Sequence, residues 1–283
     1  MVESSQPLIR KTTGELEPYD ATKLRASLQR AGASEEDQRR VEAEVLAQLR
    51  PGMTTRRLYQ IAFRALRRAP RATAARYSLQ RAILELGPSG YPFEQFLGEL
   101  LRHEGWQAKV GVRLQGRHVE HEVDLDARRD GRRMLAECKF RLDPNGRVDV
   151  KTALYVYGRA QDLKGSGGGY SEFWLVTNGR FTSDALQFGE GMGLYMLGWS
   201  HPSGKSLRER IDRAGLHPVT CLTHLRKKEK QALLRAGTVV VADLFERPDH
   251  LDPLGLSANR LRQVRSEIEG LCEQRPARSG GAR

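Results

Sequence analysis

The stretch DLDARRDGRRMLAECKF, from Asp124 to Phe140, leaves few choices of local structure. Asp130-Gly131 is a dipeptide that favours a tight two-residue turn. On both sides of it residues alternate in character, as they do on strands. The expected strands run over 117–127 and 133–140, with a third before them at 107–114. On the last strand Met134, Ala136, Cys138 and Phe140 fall on one face, and Glu137 and Lys139 on the other. On the middle strand Val119, Val123 and Leu125 share a face, opposite Glu122, Asp124 and Asp126. Pairing through the turn brings Asp124 near Glu137 and Lys139.

Two carboxylates and an ammonium on an apolar hairpin need an explanation. Close carboxylates repel, and one takes up a proton unless a cation neutralises it. Hard divalent ions choose carboxylate oxygens, backbone carbonyls and water. The expected ligands of a Mg²⁺ (or Mn²⁺) ion are therefore Asp124, Glu137 and the backbone carbonyl of Cys138. Such an ion activates water and stabilises charge on a phosphate. Lys139 would steer that water or stabilise the charged transition state. A plain surface ion pair is the alternative, since the bare spacing is common in charged chains. The context argues for chemistry: two strands, a tight turn, and a preceding helix that carries Glu94. His121 faces the apolar side of its strand and reads as structural. Lys151 and Gln161, on the helix after the hairpin, are candidates for a phosphate or for solvent.

Around the hairpin the order is helix, strands, helix, strand, helix, strand. Phe93, Phe96, Leu97, Leu100 and Leu101 set the first helix by their helical spacing. A helix is expected over 148–163 and strands over 173–177 and 194–199. This order predicts an α/β sandwich around a mixed sheet. Gly87-Pro88-Ser89-Gly90 is the clearest boundary in the chain. It divides an N-terminal unit, 7–89, from a central domain, 90–205. Helices at 206–214, 219–235 and 258–272 make a small helical C-terminal region, 206–275. A polar tail, 276–283, is expected to be disordered.

The formal net charge is +12 and the isoelectric point about 9.9. A chain this basic usually meets a polyanion. The cysteines, Cys138, Cys221 and Cys272, form no C-x-x-C pair, which argues against a zinc ribbon or a disulfide framework. No apolar leader or membrane span is evident, so a cytoplasmic location and no membrane partner are expected.

The segments YPFEQFLGELLRHEGW, HVEHEVDLDA, LAECKFR and FWLVTNGRFTSDALQFGEG, within about 90–200, resemble the Mrr-like restriction endonucleases of the PD-(D/E)xK superfamily. The family's F-E helix, aspartate and E-x-K element fall on Glu94, Asp124, Glu137 and Lys139. Its V-T-N-G-x-F-T piece falls on Val176–Thr182. The resemblance implies a metal-dependent DNA endonuclease with catalytic Asp124, Glu137, Lys139 and Glu94. Many members have Q-x-K where this chain has Glu137, and a G-D-x-G-x-D run where it has HVEHEVDLD. The substrate stays open on that account.

The segments IRKTTGELEPYDATKLRASLQRA and AARYSLQRAILELG resemble the ATP-cone domain, a nucleotide-sensing α/β module. The resemblance implies ATP or dATP as a regulatory ligand, held by Arg10, Lys11, Lys23 and Arg76. No GxxxxGK[ST] motif is present, so nucleotide would regulate and not fuel. Val219–Asp243 with Leu254-Gly255-Leu256-Ser257 resembles a helix-hairpin-helix element. That implies DNA backbone contacts, helped by Arg226, Lys227, Lys228 and Lys230 and by Arg260, Arg262 and Arg265. Double-strand cutting would suit a homodimer. The competing reading is a nucleotide-responsive DNA-binding regulator that does not cut; a further one is a structural protein on RNA.

Overall fold

The computed structural model describes residues 7–11, 14–66, 73–74, 77–143 and 146–273. The chain forms two compact units, residues 1–79 and 80–283.

The first unit opens with a hairpin of β1 (Leu8–Arg10) and β2 (Leu16–Pro18), antiparallel with Ile9 opposite Glu17. Its turn passes through Gly14 at φ 91°, a region glycine enters without steric penalty. Asp20 caps helix α1 (Ala21–Arg30) by accepting from the Thr22 N–H at 2.9 Å. Ser34 caps α2 (Glu35–Gln48), and three acids fill that helix's first turn, where the helix dipole favours them. Helix α3 (Thr55–Leu66) follows. Leu28, Val41, Val45, Ile61 and Leu66 close the core over Ile9 and Tyr19. Helix α4 (Leu79–Leu84) begins at the last residue of the first unit and otherwise belongs to the second.

The second unit contains α5 (Tyr91–His103), β3 (Gln107–Gln115), β4 (Glu120–Arg129), β5 (Arg132–Lys139), β6 (Arg147–Val148), α6 (Val150–Gly165), β7 (Glu172–Thr177), β8 (Arg180–Phe181), α7 (Ser183–Gly191) and β9 (Leu194–Leu197). The main sheet has the order β3-β4-β5-β7-β9. Its first three strands are antiparallel and its last three parallel, so the sheet is mixed. Helix α5 covers one face, laying Leu97, Leu100 and Leu101 against Leu125, Ala136, Trp174 and Val176. Helices α6 and α7 cover the other, where Val156, Ala160, Leu163 and Ala185 meet Leu135, Phe173, Leu175 and Met196. Both layers are tight. A side chain at Gly98 of α5 would meet Val110 Cγ2 at 2.8 Å. Each large apolar side chain buried here, such as Phe93 or Phe96, contributes roughly 1.5–3 kcal/mol.

Strict alternation fails on β4. Leu125 packs under α5, whereas Val123, two residues earlier, packs with Leu135 and Val156 on the opposite face. Val119 lies before the strand and is exposed. The cause is a break in the β3–β4 ladder. Pairing runs through Val110↔Leu125 and resumes at Val112↔Val123, passing over Gly111 and Asp124. Gly111 sits at φ 62°, a conformation strands normally exclude. The kink turns the first half of β4 over, so the expected common face of Val123 and Leu125 is corrected. Asp126 stays on the α6 side, buried in a two-point pair with Arg133 at 2.6 and 3.0 Å.

The C-terminal region holds α8 (Leu207–Ala214), α9 (Lys227–Arg235), α10 (Val241–Glu246) and α11 (Ala258–Cys272). The single helix expected over 219–235 is broken. Val219–Cys221 is a short 3-10 turn after Pro218, and helix resumes only at Lys227. The reason is Glu267, fully buried on α11. Its carboxylate accepts from the backbone N–H groups of Thr223 at 2.8 Å and His224 at 3.2 Å. Those donors are thereby drawn out of a helical ladder. Gly255, left-handed at φ 58°, leads into α11, but the element before it is a 3-10 helix, Pro248–Leu254. Among the described residues no helix is long and apolar enough to cross a membrane.

Breaking a buried ion pair by removing one partner strands the other charge, at about 3–5 kcal/mol. Asp126→Ala is expected to lower the unfolding free energy by about that much, read as a drop in the urea midpoint. An unchanged midpoint would show that the pair does not hold the two strands of the hairpin together.

Candidate active site

Where β4 and β5 separate, their ladder ends at Leu125↔Ala136. The next donor, the Cys138 N–H, finds no backbone acceptor across the gap and bonds Asp124 Oδ2 at 2.6 Å. The kink at Gly111 thus frees Asp124 from strand pairing and points its carboxylate at β5. Glu137, on β5, is buried. Its Oε1 accepts from Lys139 Nζ at 2.6 Å, and its Oε2 from Arg159 Nη1 of α6. Arg159 also donates to the Glu122 carbonyl at 2.9 Å and to the Tyr155 hydroxyl at 2.5 Å, with its guanidinium 4.8 Å from the Tyr155 ring centre.

Glu94 enters from the first turn of α5. Burial, with the charges of Asp124 and Glu137, pushes its carboxyl up to about 7. Asp124 is pushed up to about 6, first by burial and then by the charge of Glu137; the Cys138 N–H and the cations pull it back. The cluster is therefore short of positive charge even with Lys139 and Arg159 present. That deficit, with oxygen donors only, suits a hard cation. Among the described residues no group of three His, Cys, Asp or Glu side chains stands at metal-holding spacing. A cation here would draw on Asp124, Glu137 and backbone carbonyls.

The V-T-N-G piece fixes the end of β5. Thr177 Oγ1 donates to the Lys139 carbonyl at 2.7 Å. Asn178 accepts from the Arg141 N–H at 2.7 Å and donates to the Arg141 carbonyl at 2.8 Å. At Gly179 a side chain would meet the Gly146 carbonyl at 2.4 Å. Glu137 and Lys139 are thereby held on a strand end that cannot fray.

Arg159 and Tyr155 are absent from the residues expected on sequence grounds. Helical periodicity contains a signal for Arg159: it borders the buried stripe Ala153, Val156, Ala160 and Leu163. The partner it meets lies 22 positions away and no local pattern names it. Lys151 and Gln161 point to solvent and make no hydrogen bond or ion pair among the described residues. His121 bonds Asp162 of α6 at 2.8 Å, a contact that ties β4 to the helix.

In the first unit, Lys11 and Lys23 converge on one carboxylate, Glu17 Oε2, at 2.7 and 3.5 Å. The Lys11 contact holds the Glu17 carboxyl below its ordinary range. Arg10 is exposed beside them on β1. Arg76 lies outside the described residues. Near the C-terminus, Lys230 and Arg260 were expected to bind phosphate but are already committed. Lys230 donates to the Thr220 carbonyl at 2.6 Å, and Arg260 grips Glu229 at 2.7 Å. Arg226, Lys227, Lys228, Arg262 and Arg265 stay exposed.

The two raised carboxyls give a pH signature. Both bind a proton more tightly folded than at their ordinary 3.8 and 4.5. Their stabilising share is full below those values and is lost as pH rises through about 6 and 7. Glu94→Gln is expected to shrink the fall in urea midpoint between about pH 5 and about pH 8. An equal fall in both proteins would remove Glu94 from the cluster.

Family models match three stretches: the ATP cone domain over 7–85, a restriction endonuclease domain over 87–197, and the C-terminal domain of AF1548-like proteins over 217–272. An uncharacterized protein of Archaeoglobus fulgidus is 34% identical over 174 residues, which are 61% of this chain and 98% of that one. The crystal structure of AF1548, a protein of unknown function, is 32% identical with a TM-score of 0.55, over 65% of this chain and 99% of that one. A structure of the MspJI restriction endonuclease with a 27-mer oligonucleotide is 16% identical with a TM-score of 0.36, over 58% of this chain and 35% of that one, a likeness too low to bear on function. The mixed sheet between helix layers agrees with the restriction endonuclease match, and the chain belongs to the AF1548-like family, with a restriction endonuclease domain at its centre and an ATP-cone domain in front.

Proposed function

We propose that this protein is a metal-dependent endonuclease that hydrolyses phosphodiester bonds in DNA. The observation that carries the reading is the convergence of Glu94, Asp124 and Glu137 on Lys139, with two carboxyls raised by shared charge. Asp124, Glu137 and the Cys138 carbonyl would hold Mg²⁺ or Mn²⁺. A divalent ion there supplies an acidified water and a counter-charge for the phosphate. Lys139 places its ammonium beside the carboxylates, where it orients water and offsets charge that develops on the phosphate. Glu94, raised to about 7, keeps a proton at its carboxyl near neutral pH, available to a leaving oxygen. Arg159 holds the second oxygen of Glu137 and fixes that carboxylate's orientation. DNA as substrate follows from the charge of +12 and the exposed cations of α9 and α11. Two copies would address the two strands of a duplex.

The self-neutralised state of Glu137, with a cation on each oxygen, favours a second reading. In it the protein is a nucleotide-responsive DNA-binding regulator that does not cut. A cleavage assay separates the two. On supercoiled, linear and branched DNA with Mg²⁺ or Mn²⁺, Asp124→Ala and Glu137→Ala are expected to lose on the order of 100-fold or more in rate. DNA binding without cleavage, equal in wild type and variants, would favour the regulator.

Lys11, Lys23 and Arg10, with Arg76, would hold the phosphates of ATP or dATP and let that ligand tune activity. The Lys11→Ala/Lys23→Ala double variant is expected to weaken ATP binding by at least about tenfold in calorimetry, since two phosphate contacts go. Undiminished affinity would place the nucleotide elsewhere.

A further inference from the structure

At the opposite end of β5 from Lys139 lies a cleft of ≈ 660 Å³. The strand between Arg132 and Lys139 spans about 23 Å at extended rise. The cleft's walls belong to the turn ends of β4 and β5, the starts of β7 and β9, and helix α8. None of its lining residues takes part in the carboxylate cluster.

The cleft combines flat rings with surplus positive charge. Arg129 lies 4.6 Å over the Trp106 ring and Arg210 4.8 Å over Trp174, whose own ring centre is 4.5 Å from that of Tyr195. Arg210 is buried against Glu104, whereas the Arg129 guanidinium is part-exposed, and such a plane stacks nucleobases as aromatic rings do. Two carboxylates reach the cleft, and both are already matched. Glu104 takes a two-point pair from Arg210, and Glu172 pairs with Arg132 at 3.3 Å and accepts from Trp174 Nε1 at 3.1 Å. Lys205 and Arg213, both exposed on the rim, have no ion-pair partner among the described residues. Arg129 has one carboxylate within ion-pair reach, the outlying Asp130 at 3.6 Å, and donates to the neutral Glu104 carbonyl at 2.8 Å. The surplus suits a dianion, the planar walls suit a heteroaromatic ring, and the volume is that of a small-ligand pocket.

We propose that this cleft binds a nucleoside 5′-phosphate, supplied as a free nucleotide or as the phosphorylated end of a DNA strand. None of its lining residues is one of those assigned to the carboxylate cluster or to the first unit, and it does not rest on the protein being a nuclease.

Of the three tryptophans, Trp106 and Trp174 line the cleft, so intrinsic emission reports on it. The full chain carrying Asp124→Asn, to spare the probe from cleavage, is titrated with dAMP, dGMP, dCMP and dTMP, with inorganic phosphate, and with one single-stranded oligonucleotide bearing either a 5′-phosphate or a 5′-hydroxyl. A saturable change is expected with at least one nucleotide or with the phosphorylated oligonucleotide. Inorganic phosphate should bind at least tenfold more weakly. Adding Lys205→Glu and Arg213→Glu should weaken the response at least tenfold. Should the double charge reversal unfold the chain, Lys205→Ala alone reads the same interaction. A 5′-phosphate preference between the oligonucleotides assigns the site to strand ends; response to mononucleotides alone assigns it to free nucleotide. No saturable response to any nucleotide or to the phosphorylated oligonucleotide, or one that the rim variants leave intact, overturns the proposal. Cleavage is a separate readout, so failure here and failure of the nuclease reading are told apart.

Discussion

The candidate active site depends on one missing pair in a β-ladder. Gly111 and Asp124 stand opposite each other and do not pair. A residue with a side chain would resist φ 62°, so the glycine is what permits the fault. The fault does two things at once. It turns β4 over, which lets Val123 and Leu125 fill opposite cores. It also releases Asp124 to reach the Cys138 N–H, beyond the point where β4 and β5 still pair. Without the kink Asp124 would be an ordinary strand residue with its backbone engaged and its side chain committed to one face.

The surrounding charges follow from burial at that point. Three carboxylates enter from α5, β4 and β5, and the low-dielectric setting raises the carboxyls of Glu94 and Asp124. Glu137 is matched by Lys139 from its own strand and by Arg159 from the covering helix. The helix layer thus provides both apolar cover and a counter-charge. The V-T-N-G clamp adds stiffness where the strand leaves the sheet, so the charged groups sit on a backbone with little freedom. Polar clusters of this kind hold their geometry when each neighbour is itself bonded.

Much of this was legible in the residues, and for local reasons. The Asp130-Gly131 turn and the Glu137-x-Lys139 spacing lie within a few positions, so the hairpin and the nearness of Asp124 to Glu137 follow from short-range rules. The α5 stripe of Phe93, Phe96, Leu97, Leu100 and Leu101 is read the same way, and all five are buried. What escaped depends on distance along the chain or on one dihedral. Alternation carries no information about the φ of Gly111. Arg159 meets its partner across 22 positions. Lys230 and Arg260 looked like free cations because Thr220 and Glu229 become their partners only after folding.

Glu267 sets an order of events. The backbone donors of Thr223 and His224 must wait for an acceptor that is 43 or more positions further along the chain. During synthesis the loop before α9 emerges well before Glu267 does, and at roughly 5–20 residues per second it spends some seconds with those N–H groups on water. The segment around 219–226 therefore stays helix-capable and unsettled until Glu267 is made. The central sheet, complete by Leu197, has no such dependence. Helix α11 acts as a closing key: the central sheet can fold as it appears, and the segment around 219–226 is fixed only once Glu267 has followed it.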